Sequence, residues 1–137
     1  MLSNPKHGWC NVKIGDFKGV ASYLTDVPFN CLAAFIQYLD RSSNINSVSV
    51  YFDEEGTEFY TVFNYCNTYI IIEREENPEL KYLNNIGIKQ LANELIEDLE
   101  RDFDKWVNWE CYDEPKEGRA EELRLGIIKL KQLKEEF

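Results

Sequence analysis

Val48, Val50 and Phe52 alternate with Ser47, Ser49 and Tyr51, and the alternation resumes with Phe59, Thr61 and Phe63 against Tyr60 and Val62. A period of two marks a strand with one buried face. Between the two runs, Asp53-Glu54-Glu55-Gly56 reads as a turn in which glycine makes a positive φ cheap. Asn64-Tyr65-Cys66-Asn67 makes a second turn. The run from Thr68 to Arg74 follows, with an unbroken, β-branched apolar stretch that predicts a central, well-covered strand. Segment 47–74 is therefore expected to be a three-strand meander. Upstream, Val12 and Ile14 precede a glycine-containing break, and Val20, Ser22 and Leu24 follow it. This predicts a hairpin over 11–25 that turns at Asp16 to Gly19.

Elsewhere the period lengthens to three and four. Leu32, Phe35, Ile36 and Leu39 form one stripe, and Asp26 and Pro28 suit a cap and a first turn, so a helix is expected over 27–40. Residues 75–85 read as a proline-containing linker. Ile88, Leu91, Ala92, Leu95, Ile96, Leu99, Phe103, Trp106, Val107 and Trp109 then predict one long helix over 86–110. A last helix over 118–136 aligns Ala120, Leu123, Ile127, Leu130 and Phe137, and leaves Leu125 and Ile128 off that line. The order β-β-α-β-β-β-α-α is α+β. It implies a single domain over 1–137, with an antiparallel sheet of about five strands and helices packed mainly on one face. The opposite face would carry Ser49, Tyr51, Tyr60 and Tyr69.

Composition narrows the partner. The chain has 137 residues, enough for one real core, and 14% aromatics, which exclude a disordered chain. Its net charge of −10 disfavours nucleic acid and anionic membrane and suits a basic protein steered by the field. The acidity is regional: thirteen acids and five bases lie between Glu73 and Glu114, against five acids and six bases from Pro115 onward. The first twelve residues lack the apolar core of a signal peptide, and no apolar run approaches the ~18 residues of a membrane span, so a soluble, cytoplasmic chain is expected. Cys10, Cys31, Cys66 and Cys111 form no C-x-x-C pair and read as free thiols. His7 is the only histidine, and with Cys10 it offers two ligands, too few to close a tetrahedral site. No metal and no other cofactor is expected.

No catalytic residue is assigned. The sequence lacks a G-x-S-x-G elbow, a phosphate-binding glycine loop and H-E-x-x-H. Two acidic segments stand out instead. One is the hairpin tip with Asp53, Glu54, Glu55 and Glu58, whose ordinary role is to keep a turn soluble. The other runs from Asp98 to Glu114. With Leu95 as the centre of the apolar stripe and about 100° per residue, most of this segment is core with a wet acidic back. Asp102, however, falls about 20° from that centre and Glu110 about 60° from it. A carboxylate on an apolar face is costly unless paired or hydrated. Either the stripe overhangs the core, or a lysine of the last helix pairs with Asp102, or Asp102, Trp106, Trp109, Glu110 and Tyr112 form an exposed aromatic–acidic patch for a basic surface.

Three functional readings follow. The first is a non-enzymatic acidic interaction domain that occludes a basic partner. In size, acidity and richness in tyrosine and tryptophan the chain resembles bacterial immunity proteins, which block toxic nucleases; no motif carries that likeness and no residue is transferred from it. The second is a small-molecule module or weakly marked enzyme, with a pocket between sheet and long helix lined by Tyr51, Tyr60 and Tyr69. The third is a homodimer through Leu125 and Ile128 of the last helix.

Overall fold

Two antiparallel sheets, not one of about five strands, carry the β-structure. The computed structural model describes residues 1–109 and 116–137. Strands β1 (Leu2–Lys6), β2 (Trp9–Ile14) and β3 (Phe17–Ser22) form the first sheet in that order. Strands β4 (Val48–Asp53), β5 (Glu58–Phe63), β6 (Thr68–Glu73) and β7 (Glu79–Leu83) form the second, again in chain order. The expected meander is present, extended by a strand. The two unanticipated strands lie where the period of two is hidden. β1 contains Pro5 and a left-handed Asn4 (φ 51°), and its register slips between Ser3 and Lys6. β7 carries Glu79 and Lys81 where an inner strand would carry apolar residues, so it imitates a linker.

The first hairpin turns earlier than expected. Ile14 pairs with Phe17, which leaves a two-residue turn at Gly15-Asp16 with Gly15 at φ 60°. Gly19 is needed for a different reason. A Cβ there would stand 2.6 Å from Cε1 of Phe59, because the two sheets close on one another at this point. Phe17 meets Phe59 edge-on at 4.9 Å, and Phe52 stacks on Phe59 at 4.8 Å.

Helix α1 (Val27–Leu39) packs on β4, with Phe35 edge-on to Phe63 at 5.1 Å. Asp26 precedes it but makes no side-chain cap; its carboxylate is taken by Arg119. The long helix expected over 86–110 is two: α2 (Ile88–Arg101) and α3 (Phe103–Val107), broken at Asp102 (φ −112°, ψ 34°). The buried indole N–H of Trp106 donates to the Asp98 carbonyl at 3.2 Å across the break. Helix α4 (Arg119–Glu136) packs on α1 and α2, with Leu125 and Ile128 exposed.

The start of α2 has no side-chain N-cap. Its first N–H groups go to the β5–β6 turn: Ile88 donates to the Asn64 carbonyl and Lys89 to that of Tyr65, both at 3.0 Å. Gly87 allows this approach, since a Cβ would lie 2.5 Å from Asn64 O and Asn67 N. At the far side, the Asp98 carboxylate accepts from the Met1 ammonium and the Leu2 N–H, both at 2.9 Å, and ties β1 to α2.

Candidate functional site

In the four-stranded sheet the odd-even alternation buries Val50, Phe52, Phe59, Phe63, Ile70 and Ile72 and turns the intervening side chains outward. Strand register then aligns those outward residues in rows. One row is Ser49, Val62, Tyr69 and Tyr82; the next is Tyr51, Tyr60, Ile71 and Leu80. Tyr51 and Tyr60 lie 5.0 Å apart, and Tyr69 and Tyr82 4.8 Å. Leu80 is 66% exposed and Tyr82 48%. The result is an outward-facing aromatic and aliphatic surface.

The third row is Asp53, Glu58 and Glu73, three carboxylates opposite one another on adjacent strands. Like charges in directly opposed positions destabilise a sheet. Here two phenols beside Glu58 ease the conflict. The Tyr51 hydroxyl donates to Glu58 Oε2 at 2.6 Å, which pushes the phenol far up and, with Glu73 adding to it, holds Glu58 below the usual carboxylate range. Glu73 moves the other way: its hydrogen bond with Glu58, loss of hydration and the charge of Glu58 raise it. Loss of hydration and then the charges of Glu58 and Glu73 raise the Tyr60 phenol. One end of the aromatic face is thus strongly electronegative.

The remaining acids of the hairpin tip are not equivalent. Glu55 is exposed in the turn at φ 58°, with its N–H on Asp53 Oδ1 at 2.7 Å. Glu54 is not available to a partner. Its carboxylate takes Arg74 in a fork (2.9 and 2.7 Å), the Val20 N–H at 3.4 Å and the Thr57 hydroxyl at 3.1 Å, while Arg74 reaches the Lys18 carbonyl. Glu54 therefore fastens the tip to the first sheet. Burial works to raise its pKa, but Arg74 and the other donors outweigh it and leave the group below its ordinary 4.5. A carboxyl with a lowered folded-state pKa stabilises above its unfolded value and loses that contribution as pH falls through the folded one. The melting temperature of Glu54→Gln should accordingly lie below wild type at neutral pH, and the gap should narrow as pH falls below the ordinary 4.5 and close once the folded carboxyl is protonated. A gap that stays constant with pH would mean that the ion pair is not its source.

The tryptophan segment is corrected. Trp106 is fully buried and Trp109 nearly so, their rings 5.3 Å apart, and Trp109 donates to the Thr25 carbonyl at 3.3 Å. They bind α3 to the core and offer no exposed patch. Asp102 sits at the helix break and pairs with Arg101 at 3.2 Å, not with a lysine of the last helix. Glu110 and Tyr112 lie outside the described residues. The hairpin tip closes on β3, whereas α3 packs on β1, α2 and α4, so Asp53 and Glu58 belong to the sheet face and not to a joint site with Trp106. Arg119, 5% exposed, holds this corner: its guanidinium donates to Asp26 (2.7 and 3.0 Å), Trp106 O (3.0 Å) and Val107 O (2.8 Å) and covers the Phe29 ring at 4.6 Å.

The pocket expected between sheet and helix is also corrected, since Tyr51, Tyr60 and Tyr69 point away from the helices. A cleft of about 460 Å³ lies instead between the β1–β2 turn and α3, lined by His7, Tyr23, Lys105 and Trp109 among others. Burial pushes the Cys10 thiol up to about 12 and Cys31 further, so neither is a thiolate at neutral pH. Among the described residues no three metal-ligating side chains converge, and no helix is long and apolar enough to cross a membrane. Reading from the sequence missed Glu73, Ile71, Leu80 and Tyr82. Glu73 could have been found by folding the meander on its two turns, which places it opposite Glu58; Leu80 and Tyr82 were hidden with β7.

No family model matches the chain, and neither the curated proteins nor the solved structures contain a match.

Proposed function

We propose that the chain is a non-enzymatic acidic interaction domain that receives a basic protein on the outer face of its four-stranded sheet. One observation carries this reading. A continuous surface of Tyr51, Tyr60, Tyr69, Ile71 and Tyr82 ends in a row of carboxylates kept together against their mutual repulsion. A stability cost at a surface position is expected where function needs the arrangement. Rigid tyrosines supply contact area at little entropic cost, and they flank the acids as the apolar part of an interface flanks its charged contacts. A lysine or arginine set on Glu58 and Glu73 would replace their mutual repulsion with attraction. In its narrower form the reading is an inhibitor: the acidic row occupies a phosphate-binding cleft of a nuclease-type toxin, as in the immunity proteins that the composition resembles.

The test pairs stability with binding. Glu58→Gln/Glu73→Gln removes the repulsion, so its melting temperature at neutral pH should equal or exceed that of wild type. The same variant should lose most of its affinity for the basic protein that wild type retains from a lysate at low salt, once that protein is identified, purified and titrated. Binding by wild type should weaken steeply with ionic strength. Equal affinity of wild type and variant, or no basic protein retained by wild type, would overturn the proposal.

A further inference from the structure

The four sheet edges differ in what occupies them. At β1, Pro5 and left-handed Asn4 break the strand, the Leu2 N–H is held by Asp98, and the Leu2 carbonyl by Arg101. At β3, the Val20 N–H is taken by Glu54 and the Lys18 carbonyl by Arg74. β4 is packed by α1 and β3. β7 alone pairs with β6 on one side while, among the described residues, no hydrogen bond reaches its backbone from the other. Alternate residues of an antiparallel strand point N–H and C=O outward, so this edge is a template for one more strand.

We infer that β7 pairs with β7 of a second copy of this chain, antiparallel about a two-fold axis at Leu80. A two-fold interface must complement itself, and this register does. It sets Glu79 opposite Lys81 of the copy, twice. Leu80, the most exposed large apolar side chain of the described residues at 66%, meets its equivalent. Tyr82 comes opposite Pro78, and Glu75 and Glu76 come opposite Asn85 and Asn84, so no acid faces an acid. Centring the axis on Lys81 would instead place lysine against lysine, which opposed like charges disfavour. An edge lysine often deters strand addition; here Lys81 already neutralises Asp16 at 3.1 Å and finds Glu79 in the favoured register. A five-residue ladder is a small interface, so the dimer forms and dissociates with concentration. Paired strands share their faces, so both aromatic surfaces would lie on the same side of one continuous sheet.

The test needs no partner protein and stands apart from the proposed function. Light scattering or sedimentation of the 137-residue chain at physiological salt, from micromolar to millimolar concentration, should show the mass rise twofold. Glu79→Lys and Lys81→Glu should each abolish that rise, and the double swap should restore it, each variant first showing a melt as cooperative as wild type. Without any variant, hydrogen exchange at β7 amides should slow as concentration rises. A single-chain mass throughout, a dimer indifferent to Glu79→Lys, or no rescue by the swap would overturn the inference. So would a dimer dissolved only by Leu125→Lys/Ile128→Lys on α4. An intact dimer with no basic protein retained by wild type would sink only the earlier reading.

Discussion

Trp106→Ala is expected to destabilise the chain by about 3–5 kcal/mol, the range for emptying a buried aromatic site. Four supports act on this one residue. Its side chain is wholly buried, its ring packs on Trp109, its indole N–H holds the Asp98 carbonyl across the break between α2 and α3, and its own carbonyl accepts from Arg119. Truncation leaves a cavity and at once removes one of the two donors to the Asp98 carbonyl. For a chain of this length the melting temperature should fall by roughly 10–20 °C. Urea titration checks the free energy, and a midpoint within error of wild type would place Trp106 at the surface after all. Partner binding per folded molecule should not change, which separates this variant from Glu58→Gln/Glu73→Gln.

Arg119→Met should cost about 2–4 kcal/mol. Methionine keeps much of the buried stem volume but leaves the Asp26 carboxylate without its fork and two main-chain carbonyls, of Trp106 and Val107, without their donor. Asp26 retains some contact with water, so the cost lies below that of a fully enclosed pair. The decisive measurement is a double-mutant cycle with Asp26→Asn. The two losses should fall short of additivity by about 1 kcal/mol or more. Strict additivity would show that Arg119 acts without Asp26, through its main-chain carbonyl contacts and its packing on Phe29.

The elements that could be read in the sequence are those whose local signals agree. The meander over 47–74 has strong alternation and unambiguous turns, and α1 and α4 have clean stripes ended by breakers; their limits match to within a residue or so. Elsewhere one local signal served two structures. Asp26 before Pro28 has the residues of a cap, yet its carboxylate is committed to Arg119, far along the chain. Gly15 and Gly19 both look like turn glycines; one turns the chain and the other makes room for Phe59. The stripe from Ile88 to Trp109 continues at helical period through Asp102, and nothing local announces that the helix breaks there. Hydropathy could not separate a core tryptophan from an interface tryptophan, since both are large and apolar. Of the acids, Asp53 and Glu58 were visible as a charged tip, but their alignment with Glu73 is a property of strand register and appears only once three strands are paired. Glu54 illustrates the converse: a tip carboxylate that seems free is spent on Arg74 and the neighbouring sheet.

The way α2 begins has a consequence for the order of assembly. A helix of fourteen residues is marginal by itself in water, and this one also lacks a side-chain cap at its start. The carbonyls that receive its first N–H groups belong to the β5–β6 turn, and they are in position only when that hairpin has closed. Hairpins close on the microsecond scale. The β5–β6 hairpin therefore acts as the template on which α2 nucleates, so that a chain rich in helical pattern consolidates this amphipathic stretch after, and because of, a piece of sheet.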